Sequence, residues 1–275
     1  MENNASGTLY VVATPIGNLN DITPRALETL RNVQGVAAED TRHTRALLTH
    51  FGIEQNLVAL HQHNEEASAA QVVAKLLAGE SWALVSDAGT PLMSDPGYRV
   101  VKAAQDNNIK VSPIPGACAA IAALSVAGLA TDRFSFEGFL PAKNKARRDR
   151  LSQLVSETGT LVFYESAHRI EESLEDMVNV FGASRRASIA RELTKLFETV
   201  KTATLAELLE FVQADPNQRK GEFVVMIEGA GDDADAVLRE GERVYAVLKE
   251  HLPPSTAAKV AAELTGAPRK SLYGQ

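Results

Sequence analysis

The sequence predicts an α/β protein with two sheet-bearing units and a small helical end. Three observations carry that reading. Short apolar strands alternate with amphipathic helices up to about residue 128, the pattern of a mostly parallel sheet with right-handed crossovers. After "GLATDR" (128–133), which reads as a linker, the alternation restarts with a mixture of hairpin and crossover spacing, so a mixed sheet is expected there. From Gly231 onward strands vanish and only helical patterns remain. The expected units are residues 1–128, 129–231 and 232–275.

Taken in order, "LYVVA" (9–13) reads as a buried strand that runs into the turn-rich "TPIGNLND". Thr23 followed by Pro24 is an N-cap before a proline at the first helical position, so "PRALETLRN" is a helix. "GVAA" (35–38), "LVAL" (57–60) and "WALVS" (82–86) are the next strands, separated by helices through Leu47 and Leu48 and through "EEASAAQVVAKLLAGE". Gly79 stands where a helix-terminating glycine belongs. A helix through Val100, Val101, Ala103 and Ala104 and then "IKVSPIPG" complete the first unit. In the second, "FSFEGFL" and "TLVFYE" are strands on either side of a basic helix, and "HRIEESLEDMVNVFG" is a helix ended by Gly182. "RASIAREL", "FETVKTA" and "EFVVMIEG" are further strands, with "LAELLEFVQ" a helix before the last. Phe134, Phe136, Phe139 and Trp82 lie within strands and are expected in the core. "ADAVLREGERVYAVLKEHL" and "PSTAAKVAAELTG" are the terminal helices.

The 275 residues carry 28 Lys and Arg against 35 Asp and Glu, a net charge of −7 that by itself argues weakly against a nucleic-acid partner. One segment runs against this average. "KNKARRDR" (143–150) sets five cations against Asp149 alone. The single cysteine, Cys118, excludes an internal disulfide and a cysteine-based metal framework, and fits a reducing compartment. "MENNASG" has no basic and apolar signal regions. The longest apolar run, residues 117–130, is shorter than the roughly 20 residues that span a bilayer. A cytoplasmic protein without membrane contact is expected.

Four strand ends in the first unit carry more glycine, proline and polar residues than a turn needs: "ATPIGN" (13–18), "AEDTRHT" (38–44), "SDAGTP" (86–91) and "PIPGACAA" (113–120). In a parallel sheet these ends share one edge, where open α/β sheets bind ligands. G-x-G-x-x-G, G-x-x-x-x-G-K-[ST] and G-x-S-x-G are all missing, which removes the common dinucleotide loop, the P-loop and the nucleophile elbow. His61, His63 and Glu65 in "HQHNEE" read as a polar loop, and no metal is expected.

"LYVVATPIGNLNDITPRALETLRNV", "AAEDTRHTRALLTHFGI", "LVSDAGTPLMSDPG", "IPGACAAIAALSVAGL", "FEGFLPAK", "ARELTKLFET" and "GEFVVMIEG" together resemble the ribosomal RNA small subunit methyltransferase I family, a branch of the tetrapyrrole methylase superfamily. The likeness runs in order from about residue 8 to 230. "STAAKVAAELTGAPRKSLY" resembles the family's helix-turn-helix-like extension, here expected to be short at its end. The resemblance implies a two-domain tetrapyrrole-methylase-like fold, a homodimer, and S-adenosylmethionine bound between the domains. The implied reaction is methyl transfer to the 2′-oxygen of a cytidine in small-subunit ribosomal RNA near the decoding centre. Two other readings stand beside it: methylation of a corrin or porphyrin carbon, and a non-catalytic RNA-binding assembly factor.

On this resemblance the cofactor contacts are Pro15, Ile16 and Gly17 of the first loop, Asp87, Gly89, Thr90 and Pro91 of the third, and Gly116, Cys118 and Ala119 of the fourth. Glu165, Leu193 and Glu222 are the counterparts from the second unit. A ribose hydroxyl is a poor acid, so a positioned base would help; Glu39, Asp40 and Glu192 are the candidates, although "EDTR" can equally be a helix N-cap. Arg42 and Lys195 are expected to hold a phosphate, and Lys143, Lys145, Arg147, Arg148 and Arg150 to face RNA.

Overall fold

The computed structural model describes residues 6–60, 65–231 and 234–273. Strands β1 (Thr8–Val12), β2 (Gly35–Ala38), β3 (Leu57–Ala59), β4 (Trp82–Val85) and β5 (Lys110–Ile114) form an all-parallel sheet in the order β3-β2-β4-β1-β5. The adjacent strands β2 and β4 are buried along their whole length, because both faces of the sheet are covered. Helices α1 (Pro24–Asn32) and α2 (Thr41–His50) bury Ala26, Leu30 and Leu48 on one face; α3 (Glu65–Leu77) and α4 (Tyr98–Asp106) bury Val72, Leu76, Val100 and Ala104 on the other. Trp82 is in the core as expected, 4% exposed, and its ring fills the space where Gly35 has no side chain. The chain leaves β1 toward β2 on one side and leaves β4 toward β5 on the other. The crevice outside the ends of β1 and β4 is therefore the switch point of the sheet.

The second sheet is mixed, in the order β6-β7-β10-β8-β9. It follows helix α5 (Ala119–Val126) and comprises β6 (Phe134–Phe139), β7 (Thr160–Ser166), β8 (Arg186–Arg191), β9 (Thr199–Thr204) and β10 (Glu222–Ile227). Only β6 and β7 are parallel. One face carries α6 (Asn144–Gln153), α7 (Ile170–Phe181) and α8 (Leu205–Ala214) over a core of Leu151, Leu174, Met177, Leu208 and Phe163. The other face carries α5, whose Ala120, Ala123 and Leu124 pack on Val162, Ala190, Val224 and Met226. A helix within residues 1–128 thus belongs to the core of the second sheet.

Two expectations are corrected here. Phe134 and Phe139 are 45% and 56% exposed, because β6 is an edge strand and a bulge at Gly138 (φ +65°) resets its register after Phe136. Only Phe136 joins the core. Arg147 cannot reach RNA: its side chain is 1% exposed, with Nε on Asp176 Oδ2 at 2.6 Å and Nη2 on Asn144 Oδ1 at 2.9 Å. It occupies the buried stripe of α6 with Leu151, one turn further on.

Helices α9 (Ala234–Leu248), α10 (Pro254–Thr265) and α11 (Arg269–Tyr273) close around Ala258, Ala261, Ala267 and Leu272. Gly241 permits their approach, since a Cβ there would lie 2.4 Å from Ala267 Cβ. No described helix is long and apolar enough to cross a membrane.

Candidate active site

The parallel strands deliver their loops to one edge, and the second sheet faces them across a cavity of about 360 Å³. Thr14 and Gly89, just past the ends of β1 and β4, exchange two backbone hydrogen bonds of 2.9 and 3.1 Å. Gly89 has φ +82°, and a Cβ there would come 3.2 Å from Ile16 Cγ2, so this position favours glycine on two counts. Thr90 Oγ1 donates to the Ala117 carbonyl at 3.0 Å, tying the third loop to the fourth. Beyond it Leu92 and Ser94 sit at φ +73° and +70°, conformations that persist only where the surroundings impose them. The segment ends on Glu65, whose Oε1 accepts from the Gly97 and Arg99 amides at 3.0 and 3.1 Å. His61 and His63 lie outside the described residues.

The two halves approach at backbone level in two places. A Cβ on Gly17 would meet Lys195 Cγ at 2.5 Å and Thr194 Oγ1 at 2.8 Å, and one on Gly138 would meet Ser94 Oγ at 3.0 Å. Both contacts join a first-sheet loop to the rim of the second sheet.

Three carboxylates from the first sheet line the cavity: Glu39, Asp87 and Asp95. Burial, reinforced by Asp95 and Asp87, raises the Glu39 carboxyl above its ordinary value. Burial likewise raises Asp95, with Asp87 adding to it and a Ser86 hydrogen bond opposing it. Lys195 reaches the cavity from the far wall, but its ammonium is held by Glu192 and Glu222, each at 2.8 Å. The floor is therefore negative, and a ligand with positive charge relieves the repulsion.

The structure brings Ile16, Asp87, Gly89, Thr90, Ala119, Glu165, Leu193 and Glu222 of the expected cofactor contacts to the cavity lining, together with Glu39 and Lys195. Pro15, Gly17, Pro91, Gly116 and Cys118 do not line it. Gly116 packs against Ala13 instead, where a Cβ would come within 3.0 Å. The Glu165 carboxylate is engaged by Arg169, Ser173 and the Ser166 amide, which fixes the start of α7. Of the candidate bases only Glu39 faces the cavity. Asp40 is the N-cap of α2, accepting from the Arg42 amide at 2.8 Å. The Arg42 guanidinium holds its carboxyl well below the usual range. Burial would raise Glu192, but the Lys195 ammonium and the Glu222 amide outweigh it and hold it below its ordinary value.

Sequence reasoning passed over Asp95, Met93, Ser94 and Phe139, all of which line the cavity. For Asp95 a signal existed: "SDPG" adds a second acidic turn to a loop already overloaded by "SDAGTP". Tyr164 completes the wall, its hydroxyl accepting from the Ala120 amide at 3.2 Å and its ring meeting Phe136 and Phe139 edge-on. Burial raises its phenol above its ordinary value.

Fold and site define a two-sheet α/β protein whose inter-sheet cleft suits a small cationic ligand. Residues 8–209 match the model of the tetrapyrrole (corrin/porphyrin) methylases, and residues 228–275 match the RsmI C-terminal HTH domain. The chain is 62% identical over 268 residues to ribosomal RNA small subunit methyltransferase I of Xylella fastidiosa strain Temecula1, covering 98% of each. It is 53% identical over 270 residues to the protein of that name from Escherichia coli O157:H7, covering 98% of this chain and 94% of that one. The cobalt precorrin-4 methyltransferase CbiF shares the fold, with a TM-score of 0.58 at 15% identity, over 80% of this chain and 94% of that one. The chain belongs to the tetrapyrrole methylases and, among them, to the ribosomal RNA small subunit methyltransferase I family.

These methylases depend on S-adenosylmethionine. The cavity fits that group on its own terms. Its volume lies in the usual range for small-molecule sites, Gly89 leaves the backbone open to close approach, and the three carboxylates complement a sulfonium and an ammonium. Among the described residues, no three His, Cys, Asp or Glu are grouped as metal ligands.

Proposed function

We propose that this chain methylates the ribose 2′-oxygen of a cytidine in small-subunit ribosomal RNA, near the decoding centre, in the cytoplasm and as a homodimer. The observation that carries the reading is the carboxylate-floored cavity at the switch point of a chain so similar, over nearly its whole length, to relatives named for that RNA. S-adenosylmethionine, when bound, supplies an electrophilic methyl carbon on a positively charged sulfur. Gly89, Thr90, Asp87 and Leu193, which line the cleft, would hold it there. Glu39 takes the proton from the acceptor hydroxyl as the oxygen becomes the nucleophile; its raised carboxyl suits it to accept and then release that proton. Holding the acceptor hydroxyl in one orientation between the sheets would supply much of the remaining rate. The division at 128 and 231 belongs to the same proposal, with α5, just before residue 128, packed on the second sheet. A second copy would cover Ile121 and Val126 of α5 and Phe134 of β6, which are exposed; the molecular mass in solution tests this.

The test is methyl transfer from labelled S-adenosylmethionine to assembled small subunits and to naked ribosomal RNA, followed by digestion to nucleosides. Label in 2′-O-methylcytidine is the expected result. Label in any other nucleoside, or none at all, overturns the reading.

On α6, Lys143, Lys145 and Arg148 are exposed, and the two lysines have no ion pair among the described residues. Arg150 is tied to Glu137. Arg42 and Lys195 remain proposed phosphate contacts. Replacing Lys143, Lys145 and Arg148 together by Ala is expected to weaken RNA binding. It should also make the plot of log affinity against log salt shallower by about 2 units. An unchanged slope removes α6 from the RNA contact.

A further inference from the structure

Arg191, the last residue of β8, is 8% exposed and sits behind the wall of the cleft rather than in it. Its Nη1 donates to the Lys220 carbonyl at 3.1 Å. Its Nη2 donates to the Phe197 carbonyl at 3.0 Å and to Thr199 Oγ1 at 3.2 Å. One guanidinium thus fastens the far end of the loop between β8 and β9 to the turn that enters β10. The residues so fastened carry Leu193, Lys195 and Glu222 into the cavity. Glu192 and Thr194 in that loop have φ +50° and +66°, and such backbone persists only when its surroundings over-determine it.

Three buried polar atoms of this arrangement lack a protein partner: Thr194 Oγ1 in the loop itself and, on the far side of Arg191, Arg191 Nε, a donor, and Gln218 Oε1, an acceptor. Arg191 and Gln218 line one space of about 10 Å³, walled by Ile189, Phe211 and Phe223. That is about the space one water needs, and a buried water needs polar partners of both kinds.

We infer that Arg191 is a positioning residue for methyl transfer, and that one internal water, accepting from its Nε and donating to Gln218 Oε1, completes the clamp. Lysine cannot replace it fully, because the clamp uses a planar fork of fixed geometry and an ammonium is a single point of attachment. The role in catalysis rests on the methyl-transfer reading; the clamp and its water do not.

The experiment uses the full-length chain as wild type, Arg191→Met, Arg191→Lys and Gln218→Met. A crystal structure of the wild type, at a resolution that shows ordered water, should place density within hydrogen-bond distance of Arg191 Nε and Gln218 Oε1. Gln218→Met should lose it. Amide exchange of residues 193–198 should be about tenfold faster in Arg191→Met, intermediate in Arg191→Lys, and raised less in Gln218→Met. With labelled S-adenosylmethionine and assembled subunits, Arg191→Met should lose about 10- to 100-fold in kcat while KM stays within a few-fold, with partial rescue by lysine. If Arg191→Met does not fold, Arg191→Lys and Gln218→Met carry the same measurements. A dry wild-type cavity overturns the water, and unchanged exchange and kcat in the folded Arg191 variants overturn the positioning role. Wild type inactive on ribosomal RNA, but with the water present and the exchange effects intact, supports the clamp and sinks only the proposed reaction.

Discussion

Glu39→Gln is expected to lower kcat for RNA methylation by about 10²- to 10⁴-fold, the usual contribution of a positioned base, while S-adenosylmethionine still binds. The amide keeps the shape of the side chain at the cavity floor but cannot accept the proton. The wild-type rate should climb with pH through the raised Glu39 value and then level off, because the base works only when ionised. Asp95→Asn removes the largest neighbouring charge that raises Glu39, so it should move that rise to lower pH. Stability should run the other way. Between the ordinary carboxylate value of 4.5 and the raised one, the folded protein holds a proton that the unfolded chain has released. The contribution of Glu39 to stability therefore falls as pH rises through that window and does not recover above it. Glu39→Gln lacks this loss, so it should be the more stable protein at neutral pH, and the difference should shrink below the window. Unfolding by denaturant across pH, with kcat on assembled subunits, checks both halves. A kcat within threefold of wild type would remove Glu39 as the base.

Arg147→Ala is expected to destabilise the fold by about 3–5 kcal/mol, the cost of leaving a buried ion pair without one partner. Asp176, its side chain 9% exposed, would keep only Arg148 at 3.6 Å. Glu172, which also contacts Arg147 at 3.3 Å, is 60% exposed and would be rehydrated. Replacing Arg147 by Met together with Asp176 by Leu should recover much of the loss, since an apolar pair of similar volume carries no desolvation cost. Equilibrium unfolding measures the first effect and the double variant separates packing from charge. If Arg147→Ala unfolds like wild type but binds RNA less well, the residue faces RNA after all.

The contrast between these two residues shows what sequence could and could not disclose. Helix ends were readable because they are local: Thr23 caps α1 by accepting from the Ala26 amide, and Gly182 and Gly266 end α7 and α10 at positive φ. The shared edge of the parallel strands was readable for the same reason, and Glu39 came with it. Arg147 was hidden by its charge, although the spacing of 147, 151 and 154 marks an apolar stripe with an arginine in it. Phe139 was misplaced because two facts outside its own segment, the edge position of β6 and the bulge at Gly138, decide its exposure. The wall built from β8 and β10 required knowing which strands pair. No local pattern contains that.

Helix α5 has one more consequence, for the nascent chain. It leaves the ribosome soon after β5, when the first sheet has all its strands, yet the surface that buries Ala120, Ala123 and Leu124 includes β10, among the last of the sheet strands to be synthesised. Domains made first tend to fold first. The early half therefore emerges with an apolar helix whose seat is incomplete until Glu222–Ile227 arrives.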